Sequence, residues 1–244
     1  MISPTIQTEI KKFYMAQPDF GNLPMQELDR LSEATRFKRV HRGQWIFDQG
    51  DELSNVYFLK EGHVKVTAMN AEGDLTYLSF LTPQAIFPLR GILNGEEYCY
   101  NSIAITDLEV YIVPVTEIRR VIIHNYACLV SFIQRMERLV ERTTSLIEQT
   151  TSSNATQRVC QVLSGLKAEY GQKRGAVRQI PFQILLKDLA VLSGTTTETV
   201  TTVVKQLQQQ NKIRYNRKLI SFIWFRTGMN YEKRSTTREN FRFN

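Results

Sequence analysis

The chain has 244 residues, 42% of them hydrophobic, with 12 Gly, 7 Pro and a formal net charge of +7 from 31 Lys+Arg against 24 Asp+Glu. This composition belongs to a folded chain and excludes a disordered or collagen-like one. No apolar run approaches the ~18–20 residues that a membrane span needs. The start, MISPTIQTEIKKF, has no continuous apolar stretch followed by a small-residue cleavage site, so no secretion signal is read and a cytoplasmic protein with no membrane partner is expected. Charge is divided unevenly: residues 1–154 hold 15 Lys+Arg and 19 Asp+Glu, whereas residues 155–244 hold 16 and 5. A basic second part of this kind points to a polyanionic partner. Cys99, Cys128 and Cys160 lie too far apart for a metal knuckle and are odd in number, so neither a disulfide framework nor a metal site is expected.

Residues 24–36 place Met25, Leu28 and Leu31 three apart behind Pro24, the spacing of an amphipathic helix. From Val40 onward, short segments rich in Val, Ile, Tyr and Phe alternate with Gly, Asp and Asn turns. They are 44–47, 55–60, 63–69, 75–80, 100–106 and 108–114. Strands this short at regular spacing predict a small all-β roll or barrel rather than alternating βα units.

After Pro114 the period becomes helical, and 117–148 contains neither Pro nor Gly, which predicts one helix of roughly 48 Å. Leu129, Phe132, Met136, Leu139, Thr143 and Leu146 follow a 3-4 spacing and read as the seam of a parallel two-stranded dimer. A second row, Ile133, Val140 and Ile147, widens the stripe so that the helix also faces the β domain. The polar run 150–154 reads as a hinge ending in a helix cap. A short helix over 155–169 and a glycine-bounded basic loop or ribbon over 171–182 follow.

Residues 184–210 carry the densest signal. Leu185, Leu186, Leu189 and Ala190 form the inner face of a short helix, Leu192-Ser193-Gly194 is a tight bend, and Val200, Val203, Val204 and Leu207 form the inner face of a second helix. Thr195 or Thr196 caps that second helix. Thr196, Thr197, Glu198, Thr201, Thr202 and Lys205 are left outward, where a helix-turn-helix meets base edges in the major groove. This face has no arginine: Glu198 accepts from cytosine N4, and the threonines meet thymine methyls or phosphates. Residues 212–222 read as a two-stranded wing, so Thr196, Thr197, Glu198, Thr201 and Thr202 are the candidate base readers. Lys205, Lys212, Arg214, Arg217 and Lys218 are the candidate phosphate contacts.

The order β-roll, long helix, hinge, winged helix-turn-helix resembles the bacterial catabolite-activator and fumarate-nitrate-regulator (CRP/FNR) family of transcription factors over about residues 25–225. The stretches that carry the resemblance are 42–47 with Gln49-Gly50-Asp51, then 56–62, then 193–200. It implies an α+β chain with four parts: a jelly-roll effector domain with an N-terminal helix (1–114), a dimerisation helix (115–149), a winged helix-turn-helix (150–226) and a basic extension (227–244). It further implies a homodimeric activator on a palindromic operator, with double-stranded DNA, RNA polymerase and an unidentified small-molecule effector as partners. In that family an arginine usually precedes the glutamate of the last motif; here the position is Thr197, and Thr201 and Thr202 stand where a second arginine is common.

Phe87-Pro88 occupies the place of the Gly-Glu pair of the phosphate-binding cassette, and Asn101 lies near the place of the phosphate arginine, so cyclic AMP is not the expected effector. The stretch is more similar to cassette-less regulators of low-GC Gram-positive bacteria, of the arginine-deiminase-pathway type. Phe87, Arg90, Glu96, Glu97 and Asn101 are the candidate effector pocket, with Arg90 for a carboxylate and Glu96 or Glu97 for a cationic group. Residues 1–98 contain no cysteine, which excludes the family's iron–sulfur cluster, and no cofactor is expected. No GxSxG, HExxH, P-loop or Rossmann fingerprint is present, so an enzyme is not expected. A ligand-sensing or protein-docking module without specific DNA binding is the alternative reading.

Overall fold

The structure is a computed structural model, and it describes residues 4–150 and 154–223. The expected basic extension 227–244 lies outside the described residues, as do most of the hinge and the last residues of the wing domain. Two helices, α1 (Pro4–Met15) and α2 (Met25–Ala34), precede eight strands: β1 (Arg36–Val40), β2 (Trp45–Phe47), β3 (Asn55–Glu61), β4 (Val64–Met69), β5 (Leu75–Leu81), β6 (Ile86–Phe87), β7 (Asn101–Ala104) and β8 (Leu108–Pro114). These strands form two four-stranded antiparallel sheets, β1-β8-β3-β6 and β2-β7-β4-β5, as the short-strand pattern predicts.

Strand β3 decides how the roll is built, because Val56, Tyr57, Phe58 and Leu59 are all buried, and alternate residues of a strand point to opposite faces. On one face Tyr57 lies against Phe87 and Phe47 in the roll interior. On the other, Phe58 meets Phe13, Tyr14 and Phe20 edge-on, with ring centroids 5.2–6.2 Å apart. Helix α1 is therefore the lid over the outer face. The sequence reading placed no helix there, although Ile6, Ile10, Phe13 and Tyr14 carry helical spacing. The Tyr14 hydroxyl shares a 2.8 Å hydrogen bond with Thr35 Oγ1, which fixes α1 against the end of α2.

The long helix is interrupted. Helix α3 (Val115–His124) and helix α4 (Tyr126–Thr150) meet at Asn125, whose backbone is extended. Asn125 serves both helices: its N–H donates to Val121 O, and its side-chain oxygen accepts from Cys128 N at 3.0 Å. A side chain that caps so well competes with helix continuation. Beyond the break, Phe132 is buried in the roll's core, and Leu129 and Met136 pack against it. Leu139 is half-buried, Thr143 is exposed and its hydroxyl donates to Leu139 O, and the Leu146 side chain is outside the described set. The other row faces solvent, with Ile133 50%, Val140 62% and Ile147 62% exposed. The row expected to face the β domain is thus the exposed one, and Leu129, Phe132 and Met136 of the row expected as the seam pack on the roll. Both rows carry apolar residues at helical spacing, and the packing of Phe132 with the Asp19–Arg135 pair holds the Leu129 row on the roll.

Helix α5 (Ala155–Tyr170) starts at Asn154, whose side chain accepts from Gln157 N as its cap. The basic ribbon folds as β9 (Gln172–Arg174) and β10 (Val177–Gln179). Then come α6 (Leu186–Leu192), α7 (Thr197–Gln209) and the wing strands β11 (Ile213–Asn216) and β12 (Leu219–Ile223), with all four strands in one sheet of order β11-β12-β10-β9. The core of this second unit borrows from the first: Leu78 and Phe80 of β5 pack with Val162, Leu166, Tyr170 and Phe182. Cys128 is buried, and burial pushes its thiol up to about 11; Cys99 is half-buried and Cys160 exposed.

Phe58→Ala, which empties the space among three rings, should lower unfolding free energy by about 3–5 kcal/mol in a denaturant titration.

Candidate nucleic-acid interface

Helices α6 and α7 pack through Leu189, Ala190, Val200, Val203 and Val204 against Val159 and Leu163 of α5. The bend between them needs a left-handed residue, and Gly194 supplies it with φ +55°. Ser193 is fully buried, and its hydroxyl donates to Leu189 O at 2.6 Å. Sequence reasoning missed the clamp on this bend. Arg158, in the first turn of α5, donates to the carbonyl oxygens of Ser193 and Gly194, at 2.9 Å each. A guanidinium on the carbonyls just past the C-terminus of α6 pairs acceptors at the bend and opposes the helix dipole. One arginine in a polar stretch gives no sequence signal for this.

Thr196 is the N-cap of α7, accepting from Thr199 N at 3.2 Å, which settles the choice between Thr195 and Thr196. Thr196, Thr197, Glu198, Thr202 and Lys205 are exposed, and Thr201 is half-buried. Thr201 donates its hydroxyl to Thr197 O (2.7 Å), and Thr202 donates to Glu198 O (3.0 Å). Each of these hydroxyls spends its one hydrogen on the helix and keeps only lone pairs and a methyl for a ligand. With the carboxylate of Glu198, this part of the face is made of acceptors and methyl groups. These groups suit the amino groups of cytosine and adenine and the methyl of thymine.

The wing turns through Arg217 (φ 49°) and Lys218 (φ 65°), with Asn216 paired to Leu219 across the turn. Two consecutive positive φ values are the signature of a type I′ hairpin turn, where Asn and Gly are the usual occupants. Two long cations at these positions carry backbone strain, and strain of this kind collects where function needs the side chain. Lys205, Lys212, Arg214, Arg217 and Lys218 are all exposed. Lys173 and Arg174 on β9 are exposed at the far edge of the same sheet.

The five candidate effector residues present no common surface. Phe87 is buried among the rings of Phe47 and Tyr57, and Phe47 stacks on Tyr98 at 3.9 Å, so aromatic side chains fill the roll's interior here. Asn101 is committed to the fold, its oxygen accepting from Gln49 N at 2.8 Å. Arg90, Glu96 and Glu97 are all exposed, the two glutamates on the loop before β7. A cleft of about 180 Å³ lies elsewhere, between β5, α4 and α5, with Leu78, Phe80, Val162 and Leu166 in its walls. At its polar side Arg142 donates to the Tyr170 hydroxyl (2.6 Å) and pairs with Glu169 (2.6 Å). Burial raises the Glu169 carboxyl above its ordinary range, against the pull of Arg142. Among the described residues, no helix is long and apolar enough to cross a membrane.

Known families match both halves of the chain: the cyclic nucleotide-binding domain over residues 37–125 and the Crp-like helix-turn-helix domain over residues 157–223. The transcriptional regulatory protein btr of Bordetella pertussis is 23% identical over 202 residues, 82% of this chain and 83% of that one. The HTH-type transcriptional regulator ArcR of Staphylococcus haemolyticus is 23% identical over 197 residues, 81% and 86% of the two chains. In fold, the c-di-GMP responsive global regulator CLP of Xanthomonas campestris aligns with a TM-score of 0.67 at 15% identity, covering 83% of this chain and 100% of that one. With both domain families matched in this order over more than half of its length, the chain belongs to the CRP/FNR family of DNA-binding transcriptional regulators.

Proposed function

We propose that the protein acts as a homodimer on an inverted-repeat operator, each protomer setting α7 into one major groove and its wing on the flanking backbone. The observation that carries this reading is the exposed acceptor-and-methyl face at the start of α7 beside two cations held at a strained hairpin tip. Its work is binding rather than catalysis, and RNA polymerase is the further partner that we assign. The operator half-site is one that presents cytosine or adenine amino groups and thymine methyls to α7.

The dimer seam we assign is the exposed row of α4, Tyr126, Ile133, Val140 and Ile147, spaced by seven. A heptad row left in water on a long helix is the pattern that a second copy of that helix covers. For an effector, the cleft between β5, α4 and α5 is the better supported site than the filled roll. Its apolar walls and Arg142 suit a small amphipathic acid.

Selection from a random duplex library should enrich an inverted repeat, and absence of enrichment would favour the docking-module alternative. Glu198→Ala should then relax preference at one base pair per half-site, by about 1–3 kcal/mol. Lys218→Gly should weaken all sequences alike and lower the salt slope by about 1. The same substitution should raise thermal stability, because it removes a left-handed lysine worth about 1 kcal/mol of strain. Val140→Glu should convert the dimer to monomer in sedimentation while leaving the circular dichroism of each domain intact. Small carboxylates with an apolar group should raise the melting temperature of the wild type but not of Arg142→Met.

A further inference from the structure

Residues 183–188, which lead into α6 and form its first turn, are held from two directions at once. From the roll, Arg42 Nη2 donates to the Gln183 side-chain oxygen at 2.6 Å, and Lys65 Nζ on β4 reaches Asp188 Oδ1 at 3.2 Å. From the wing, the Tyr215 hydroxyl donates to Ile184 O at 2.9 Å, and Ile184 N donates to Lys218 O at 2.8 Å. The second oxygen of Asp188 accepts from Leu185 N at 3.1 Å and closes the first turn of α6. Phe182, just before the stretch, lies against His63 (4.8 Å between ring centroids) and Phe80 (4.9 Å) of the roll.

The Lys65–Asp188 pair is largely withdrawn from water, with 19% and 4% of the two side chains exposed. Removing one partner of such a pair strands a charge, so its geometry is strongly enforced. One carboxylate thus ties a strand of the roll to the cap of the first helix of the helix-turn-helix. Two residues upstream of α6, at Ile184, the same stretch holds the strained turn that presents Arg217 and Lys218. We propose that 183–188 is a relay through which the roll sets the angle of the helix-turn-helix and the wing tip together, with Asp188 as its positioning residue. This route runs through β4 and is separate from the covalent path along α4 and residues 150–154. The proposal rests on the operator reading above.

The test uses the full chain with Lys65→Met, Asp188→Asn, both together, and Lys65→Arg as the conservative variant. Asparagine retains an acceptor for Leu185 N and removes the charge. Each protein is titrated with the selected operator, with versions carrying one base pair more or less at the centre, and with a single half-site. The wild type should lose about tenfold or more in affinity on the altered spacings, a penalty within the usual range of coupling energies. Lys65→Met should cut that discrimination to about threefold or less while half-site binding stays unchanged, the double variant should be no worse than either single one, and Lys65→Arg should retain the wild-type profile. Wild-type spacing discrimination in Lys65→Met, or additive effects of the two substitutions, would overturn the relay. If the wild type selects no inverted repeat, the operator reading fails and hydrogen exchange decides the relay by itself. Lys65→Met should then speed exchange at the α6 first turn and at Ile184 and Leu219 together, by about tenfold. Faster exchange at α6 alone overturns it.

Discussion

A strand with four consecutive buried side chains has to be covered on both faces, and β3 imposes that requirement on everything around it. Its inner face draws Phe47, Tyr57, Phe87 and Tyr98 into one aromatic cluster, so the roll is filled by its own side chains. Its outer face draws in α1 and the Phe20 loop, and Asp19 in that loop is in turn paired with Arg135 of α4. That buried pair, with Phe132 and Cys128 beside it, seats the first half of α4 on the roll and leaves the opposite face of α4 bare. The apolar row available to a second copy is therefore a consequence of how β3 is covered.

The two units of the chain are joined by more than their connection. Leu78 and Phe80 belong by sequence to the roll and by packing to the core of the DNA-binding unit, and the Tyr170 hydroxyl donates to Phe80 O at 3.1 Å. Apolar contacts of this sort are non-directional and set only proximity. The polar contacts around residues 183–188 supply direction, because hydrogen bonds and a buried ion pair tolerate little angular change.

The exposed face of α7 shows how local hydrogen bonding alters what a sequence offers. Threonine brings a donor, two lone pairs and a methyl, but Thr201 and Thr202 give their donors to the preceding turn. The face that results is poorer in donors than the composition of α7 implies. At the wing the opposite holds: the composition is plain from the sequence, and the strain at Arg217 and Lys218 becomes visible only with the backbone angles.

The sequence by itself determined the short-stranded roll, the helix-turn-helix with its Gly194 bend, the wing, and which residues of α7 face outward. These rest on periodicity and turn chemistry, which act over a few neighbouring residues. Tertiary structure alone decided which apolar row of α4 faces out, because both rows are compatible with a helix and the contacts of Phe132 and of Asp19 with Arg135 select the one that meets the roll. It also decided that α1 is a lid, that Arg158 clamps the bend from α5 across 35 positions of sequence, and that Asp188 answers to Lys65 from 123 positions away. Contacts at such separations leave no local pattern. They follow from the packing of whole elements, and a single chain read in order carries no signal for which distant charges that packing brings together.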